Sequence, residues 1–212
     1  MALRGRDRGC HRSRRRGSRR GTRATFPAGD REVACPTCQP IPSAWCAGRN
    51  ARLGPERRRS RPRRIAGISV RTSNAAEMNP SHAQIPRLWH RFGSEHWPAR
   101  LEQLGASGPV HAVYCDYESD VSGPYRLLLG RGVEPAEPPP SDVEVITVPE
   151  GDYLVFSCVG PMPGAVLEGW CRIWQFFAEP GAPRRAYTAD FELYQSETAS
   201  PDIWIAVLQT GS

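Results

Sequence analysis

Lysine is absent from the 212-residue sequence, so all 28 basic side chains are arginine. Lysine codons are AT-rich, and the bias points to GC-rich coding DNA, which weakens any functional reading of arginine abundance by itself. No apolar run approaches 18 residues, which excludes a membrane-spanning helix. No apolar stretch follows the first arginines in the manner of a secretory signal. Seven cysteines cannot form a closed even set of disulfides, and Cys115, Cys158 and Cys171 sit in apolar contexts suited to buried, reduced thiols in a cytoplasmic protein. A nucleophile–base set is missing as well. His82, His90 and His96 are not paired with acids at ligand spacing, so no catalytic triad, no metal and no cofactor are expected.

What is present is segregated by charge. Residues 1–64 hold nineteen arginines against Asp7, Asp30, Glu32 and Glu56, a net of +15, while residues 65–212 hold nine arginines against eighteen acids, a net of −9. Residues 1–62 are rich in Arg, Gly, Pro and Ser without apolar periodicity, and are read as a disordered extension. An over-long start in GC-rich DNA would produce the same pattern. A basic arm for nucleic acid is the weaker reading, and an organelle transit segment weaker again. Cys35 and Cys38 have the spacing of half a zinc site, but Cys10, His11 and Cys46 make no second pair, so chance cysteines are the preferred reading. The acidic remainder is long enough for one core, and its negative field favours cations over nucleic acid.

The domain expected at residues 63–212 carries an internal duplication. Asp116-Tyr117-Glu118 is echoed by Asp190-Phe191-Glu192. Upstream of each lies Arg-apolar-Trp-x-x-Phe, at Arg87–Phe92 and again at Arg172–Phe177. The reading is an α+β fold of two strand–helix–strand–strand units, about 65–130 and 143–209, joined by a Pro-rich linker at 131–142, with a cleft between the halves. A short strand is expected after Gly67, a helix capped by Asn79 with Pro80 in its first turn and kinked or restarted at Pro86, and a second short helix within 94–105. Val110–Glu118 alternates as a strand paired in a hairpin with Tyr125–Leu129, while strands at Glu144–Val148 and Tyr153–Val159 open the second unit. A helix through Val166, Trp170, Ile173, Trp174 and Phe177 then leads to a closing hairpin of Tyr187–Gln195 with Ile203–Leu208.

Along Tyr187–Gln195 the period of two separates the side chains. Phe191 and Leu193 are assigned to the core against Trp170 and Trp174. Asp190, Glu192 and Tyr194 form an acidic, aromatic surface, with Glu118 in the matching place of the first unit beside Asp116 and Tyr114. A carboxylate fenced by ring faces suits a cation. An ordinary solvated strand glutamate is the plain alternative, and a carboxyl in an apolar cleft could also serve as general acid or base.

Several separate motifs then carry a family resemblance. They are Val70-Arg71-Thr72-Ser73-Asn74, Glu77-Met78-Asn79-Pro80, Ile85-Pro86-x-Leu88-Trp89-x-x-Phe92, Val113-Tyr114-x-Asp116-Tyr117-Glu118-Ser119-Asp120, Gly151-x-Tyr153-Leu154-Val155-Phe156 and Asp190-Phe191-Glu192-x-Tyr194. Over about Ile65–Gln209 the chain resembles the GyrI-like, AraC-type effector-binding domains, in particular the stand-alone integron-cassette proteins. The resemblance implies the duplicated fold with a cleft, binding of lipophilic and often cationic small molecules, and a free-standing binding protein, since no helix-turn-helix is read here. It aligns Glu192 with the glutamate facing the ligand's charge, and Tyr114, Tyr153, Phe156 and Trp174 are further ligand candidates beside Glu118 and Tyr194. Some relatives of this fold hydrolyse cyclopropane-containing natural products, which makes hydrolysis in the same cleft the alternative function.

Overall fold

The computed structural model describes residues 54–134, 140–196 and 200–209. In chain order the elements are β1 (Glu56–Ser60), β2 (Arg63–Thr72), α1 (Asn74–Glu77), α2 (Ile85–Ser94), α3 (Trp97–Gln103), β3 (Ser107–Cys115), β4 (Tyr125–Gly132), β5 (Glu144–Val148), β6 (Gly151–Ser157), α4 (Gly164–Ala178), β7 (Ala189–Tyr194) and β8 (Asp202–Val207). All eight strands join one antiparallel sheet in the order β1-β6-β8-β7-β3-β4-β2-β5. Each half reads first strand, third strand, second strand, so β6-β8-β7 mirrors β2-β4-β3 and the halves meet at the β3–β7 seam. This is the duplicated strand–helix–strand–strand architecture.

The sheet curls into a half-barrel. Its inner face packs on itself through Ile65, Val113, Leu128, Val148, Tyr153, Phe191 and Trp204, with no helix against it among the described residues. The outer face carries the helices. Leu88 and Phe92 of α2, with Trp97 and Leu101 of α3, cover β2–β4; Ile173, Phe176 and Phe177 of α4 cover β6 and β8. Over the seam the two helical covers part around a cavity.

Close approaches rather than turns explain three glycines. Gly67 faces Gly130 across the β2–β4 pair. A Cβ at Gly67 would lie 1.9 Å from the Leu129 carbonyl oxygen, and one at Gly130 would lie 2.1 Å from that of Ala66. On α4, a Cβ at Gly169 would fall 2.5 Å from Cys158 Sγ, so glycine lets the helix settle on the sheet.

The structure corrects several expectations. Residues 56–60 are a strand, not part of a disordered extension: β1 pairs with β6 despite its sequence Glu-Arg-Arg-Arg-Ser, whose arginines reach Glu56, Glu150 and Asp152. Residues 1–53, with Cys35 and Cys38, lie outside the described residues, as do 135–139 of the linker. β2 runs through Gly67 rather than starting after it. Asn79 caps no helix. Its Oδ1 accepts from the Ser81 N–H at 3.0 Å within a turn, and α2 restarts at Ile85-Pro86. The N–H groups at that start, Gln84 and Ile85, donate to the Glu77 carboxylate at 2.9 and 3.1 Å. β3 ends at Cys115, because Asp116 turns the chain with φ +49°. Finally, Phe191 and Leu193 face the half-barrel interior, and it is the opposite side of β7 that meets Trp170.

Candidate cation site at the seam

Antiparallel pairing sets Tyr114 opposite Asp190, Ala112 opposite Glu192 and Val110 opposite Tyr194. All six point to the outer face, where the helical covers part. There lies a cavity of about 380 Å³, within the range of small-molecule sites. Tyr114, Tyr125 and Glu192 form its floor. Asn74, Ala75 and Glu77 of α1 with Met78 and Ile85 make one wall, and Val166, Leu167, Trp170 and Trp174 of α4 make the other. Tyr117, Val121 and Ser122 close one end, and Arg185 also lines it. The α4 wall follows from helical spacing: Trp170 and Trp174 are one turn apart and share a face.

Glu192 is 2% exposed. Its Oε1 accepts from the Tyr114 hydroxyl at 2.8 Å and the Trp170 indole N–H at 2.6 Å; its Oε2 accepts from the Tyr194 hydroxyl at 2.6 Å. Burial pushes its pKa above the ordinary carboxylate value, while the donors Tyr194, Trp170 and Tyr114 pull it back. Among the described residues no arginine or histidine forms an ion pair with it.

Its neighbour on the same strand face differs. Asp190 is fully buried and accepts from the Tyr117 hydroxyl at 2.7 Å, the Ala206 backbone N–H at 2.8 Å and the Arg185 guanidinium. Arg185 in turn lies over the Tyr187 ring, 4.6 Å from its centroid. One buried carboxylate thus has its countercharge inside the protein and the other has only neutral donors. Burial, reinforced by the facing carboxylates, raises the pKa of Tyr114 and Tyr117, which keeps both hydroxyls protonated as donors.

Of the residues singled out from sequence, Glu192, Tyr114 and Trp174 line the cavity. Tyr194 holds Glu192 from outside the lining, its ring edge-on to Trp89 at 5.1 Å. Three others, expected from sequence as ligand contacts, lie outside its lining. Glu118 follows the turn at Asp116 to the surface, where its side chain is 59% exposed and paired with Arg71 at 2.5 Å. Tyr153 points to the inner face against Phe191 and Trp204 and donates to the Pro149 carbonyl. Phe156 points outward but lies beneath α4, against Phe176 and Phe177. Sequence reasoning passed over Trp170, Tyr117, Tyr125 and Arg185. The i, i+4 relation of Trp170 to Trp174 was a usable signal for the first; nothing local marks Arg185 as the partner of Asp190.

The model of the integron-associated effector binding protein family matches residues 61–207. The chain belongs to that family. It is 34% identical over 151 residues to the YobU protein of Bacillus subtilis (strain 168), which bears a transcriptional-regulator name; the match covers 68% of this chain and 92% of YobU. Among solved structures, the integron cassette protein VCH_CASS2 from the mobile metagenome of Vibrio cholerae superposes with a TM-score of 0.59 at 32% identity, covering 73% of this chain and 96% of that one. SAV2435, solved with tetraphenylphosphonium bound, superposes with a TM-score of 0.60 at 20% identity, over 74% of this chain and 94% of its own, a likeness of fold. The fold described above is thus shared with these two solved structures. Among the described residues no helix is long and apolar enough to cross a membrane.

Proposed function

We propose that the cavity over Glu192 binds lipophilic cations, and that the protein senses or sequesters such compounds. One observation carries the reading: a buried carboxylate without a cationic partner stands at the floor of an aromatic cavity, while Asp190 beside it is already neutralised by Arg185. An isolated buried charge is costly, and a ligand cation supplies what the protein withholds. The ring faces of Tyr114, Trp170 and Trp174 add attraction for positive charge of roughly 0.5–2 kcal/mol each. The tetraphenylphosphonium held by the structural neighbour SAV2435 chooses the probe.

The test uses two ions of nearly one shape and opposite charge. Tetraphenylphosphonium is expected to raise the melting temperature and to bind saturably, because a ligand that binds only the folded state stabilises it with occupancy. Tetraphenylborate is expected to do neither. Equal responses to both would mean that apolar contact alone fills the cavity, and the charge-selective reading would fall.

A further inference from the structure

Resting on the cation-binding reading above, we infer that the cavity selects cations that carry no N–H groups, such as quaternary ammonium, phosphonium or charge-delocalised ions. Primary ammonium ions of the same apolar shape are rejected. The reason lies in how Glu192 is held. A carboxylate offers roughly four lone-pair sites. The protein itself occupies three of them: Tyr114 and Trp170 donate to Oε1, and Tyr194 donates to Oε2. About one acceptor site is left for a ligand.

A primary ammonium brings three donors and a tightly held hydration shell, both of which must be replaced on entry. One N–H finds the free site on Glu192. The others meet ring faces, the oxygens of Tyr117 and Tyr125, whose hydroxyls donate to Asp190 and Asn74, or the Glu77 carboxylate in the wall, which already accepts from Thr72, Gln84 and Ile85. A charged donor left unmade in a buried site costs its full desolvation. An onium ion has no donor to satisfy, is weakly hydrated over a broad apolar surface, and meets the aromatic walls on favourable terms. Three internal donors on one carboxylate therefore withhold its hydrogen bonds from a ligand.

Calorimetric titration of the full chain with naphthylmethyltrimethylammonium and naphthylmethylammonium reads this directly. The trimethyl ion is expected to bind at least about tenfold more tightly, the worth of one unmade charged hydrogen bond. Its extra methyl groups also contribute, and the variant Tyr194→Phe separates the two causes. It keeps the ring against Trp89 and frees a site on Oε2, so the preference should narrow by at least about threefold. A structural role for the Tyr194 hydroxyl would weaken both ions alike. Equal affinities in the unaltered protein overturn the inference while leaving cation binding intact. An unchanged ratio in Tyr194→Phe overturns the lone-pair account. Binding of neither ion overturns the cation reading and this inference with it.

Discussion

Replacing Glu192 by glutamine should separate binding from stability, because the two respond with different signs. Oε1 takes two donors and one of them, the Trp170 N–H, cannot reverse. Glutamine must therefore keep its carbonyl oxygen in that place. Its amide nitrogen then stands where Oε2 was and faces Tyr194, whose hydroxyl can rotate to accept. Tyr114, Trp170 and Tyr194 each keep a hydrogen bond to the side chain, the volume is nearly unchanged, and a buried carboxylate has been removed. The free variant should melt at or above the temperature of the unaltered protein. Cation binding should fall by about 2–5 kcal/mol, thirty-fold at the least, as for other desolvated charge pairs. The pH dependence should vanish too. Burial raises the Glu192 pKa above 4.5, so acidification puts a proton where the cation must sit. Affinity in the unaltered protein therefore drops as pH falls through that raised pKa, and the glutamine variant stays flat. Calorimetric titration with tetraphenylphosphonium across pH, beside the melting curves of the free proteins, measures all three quantities. A melting temperature lowered by about 3 °C or more, roughly 1 kcal/mol at this size, would make the carboxylate a structural group and refute the reasoning. Undiminished affinity would remove Glu192 from the site.

Arg185→Met should cost about 3–5 kcal/mol in urea unfolding, since it strands the fully buried Asp190, and Asp190→Asn in the same chain should recover most of the loss. Equal losses in the single and double variants would show that the ion pair is not what Arg185 contributes. Gly169→Ala places a Cβ 2.5 Å from Cys158 Sγ and 2.9 Å from Ile203 Cδ1, and should destabilise by about 1–3 kcal/mol. Cys158→Ala should relieve part of that cost in a double-variant cycle, and additive losses would locate the clash elsewhere. His111 is buried, with its pKa lowered from 6.5 to about 4 by desolvation first and by Arg63 second. The folded state binds the proton less well than the unfolded chain. Stability is thus full above pH 6.5 and falls by about 3 kcal/mol toward pH 4. Melting curves of His111→Gln over that range should be flatter by this amount, and parallel curves would assign the acid sensitivity to other groups.

Much of the fold was legible because its elements follow simple periods. The two Arg-apolar-Trp-x-x-Phe helices sit where the repeat puts them, and the seam falls between the copies. β1 was not legible, since Glu-Arg-Arg-Arg-Ser has no apolar alternation; its partner β6 and the acids Glu150 and Asp152 make it a strand. The Asp-aromatic-Glu repeat misled for a conformational reason. In the second unit the triplet lies inside β7, whereas in the first the chain leaves the sheet at Asp116, so Glu118 reaches solvent and not the cavity. Period two separated Phe191 from Glu192 correctly but could not tell which side meets α4. Both faces of β7 are covered, one by the half-barrel interior and the other by helix and cavity. The residues that hold Glu192 come from three elements, β3, α4 and β7. Only Tyr194, two positions away, is local enough for strand periodicity to place beside it.

The two copies must differ at the seam for a site to exist there. Residues directly opposite across an antiparallel pair sit about 4.5–5.5 Å apart at Cβ, and like charges in that relation are destabilising. On the outer face the second copy presents Asp190 and Glu192, and the first answers with Tyr114 and Ala112. Had the first copy kept carboxylates on this face, four would crowd into one buried strip with one arginine to neutralise them. Ala112 instead places a small, uncharged side chain opposite Glu192. Tyr114, one step along the same face, leans across to donate to Glu192. One copy thus supplies the charge and the other the donor that holds it. The symmetry of the sheet creates the opening between the helical covers, and the divergence of the facing residues is what lets a single uncompensated carboxylate remain at its floor.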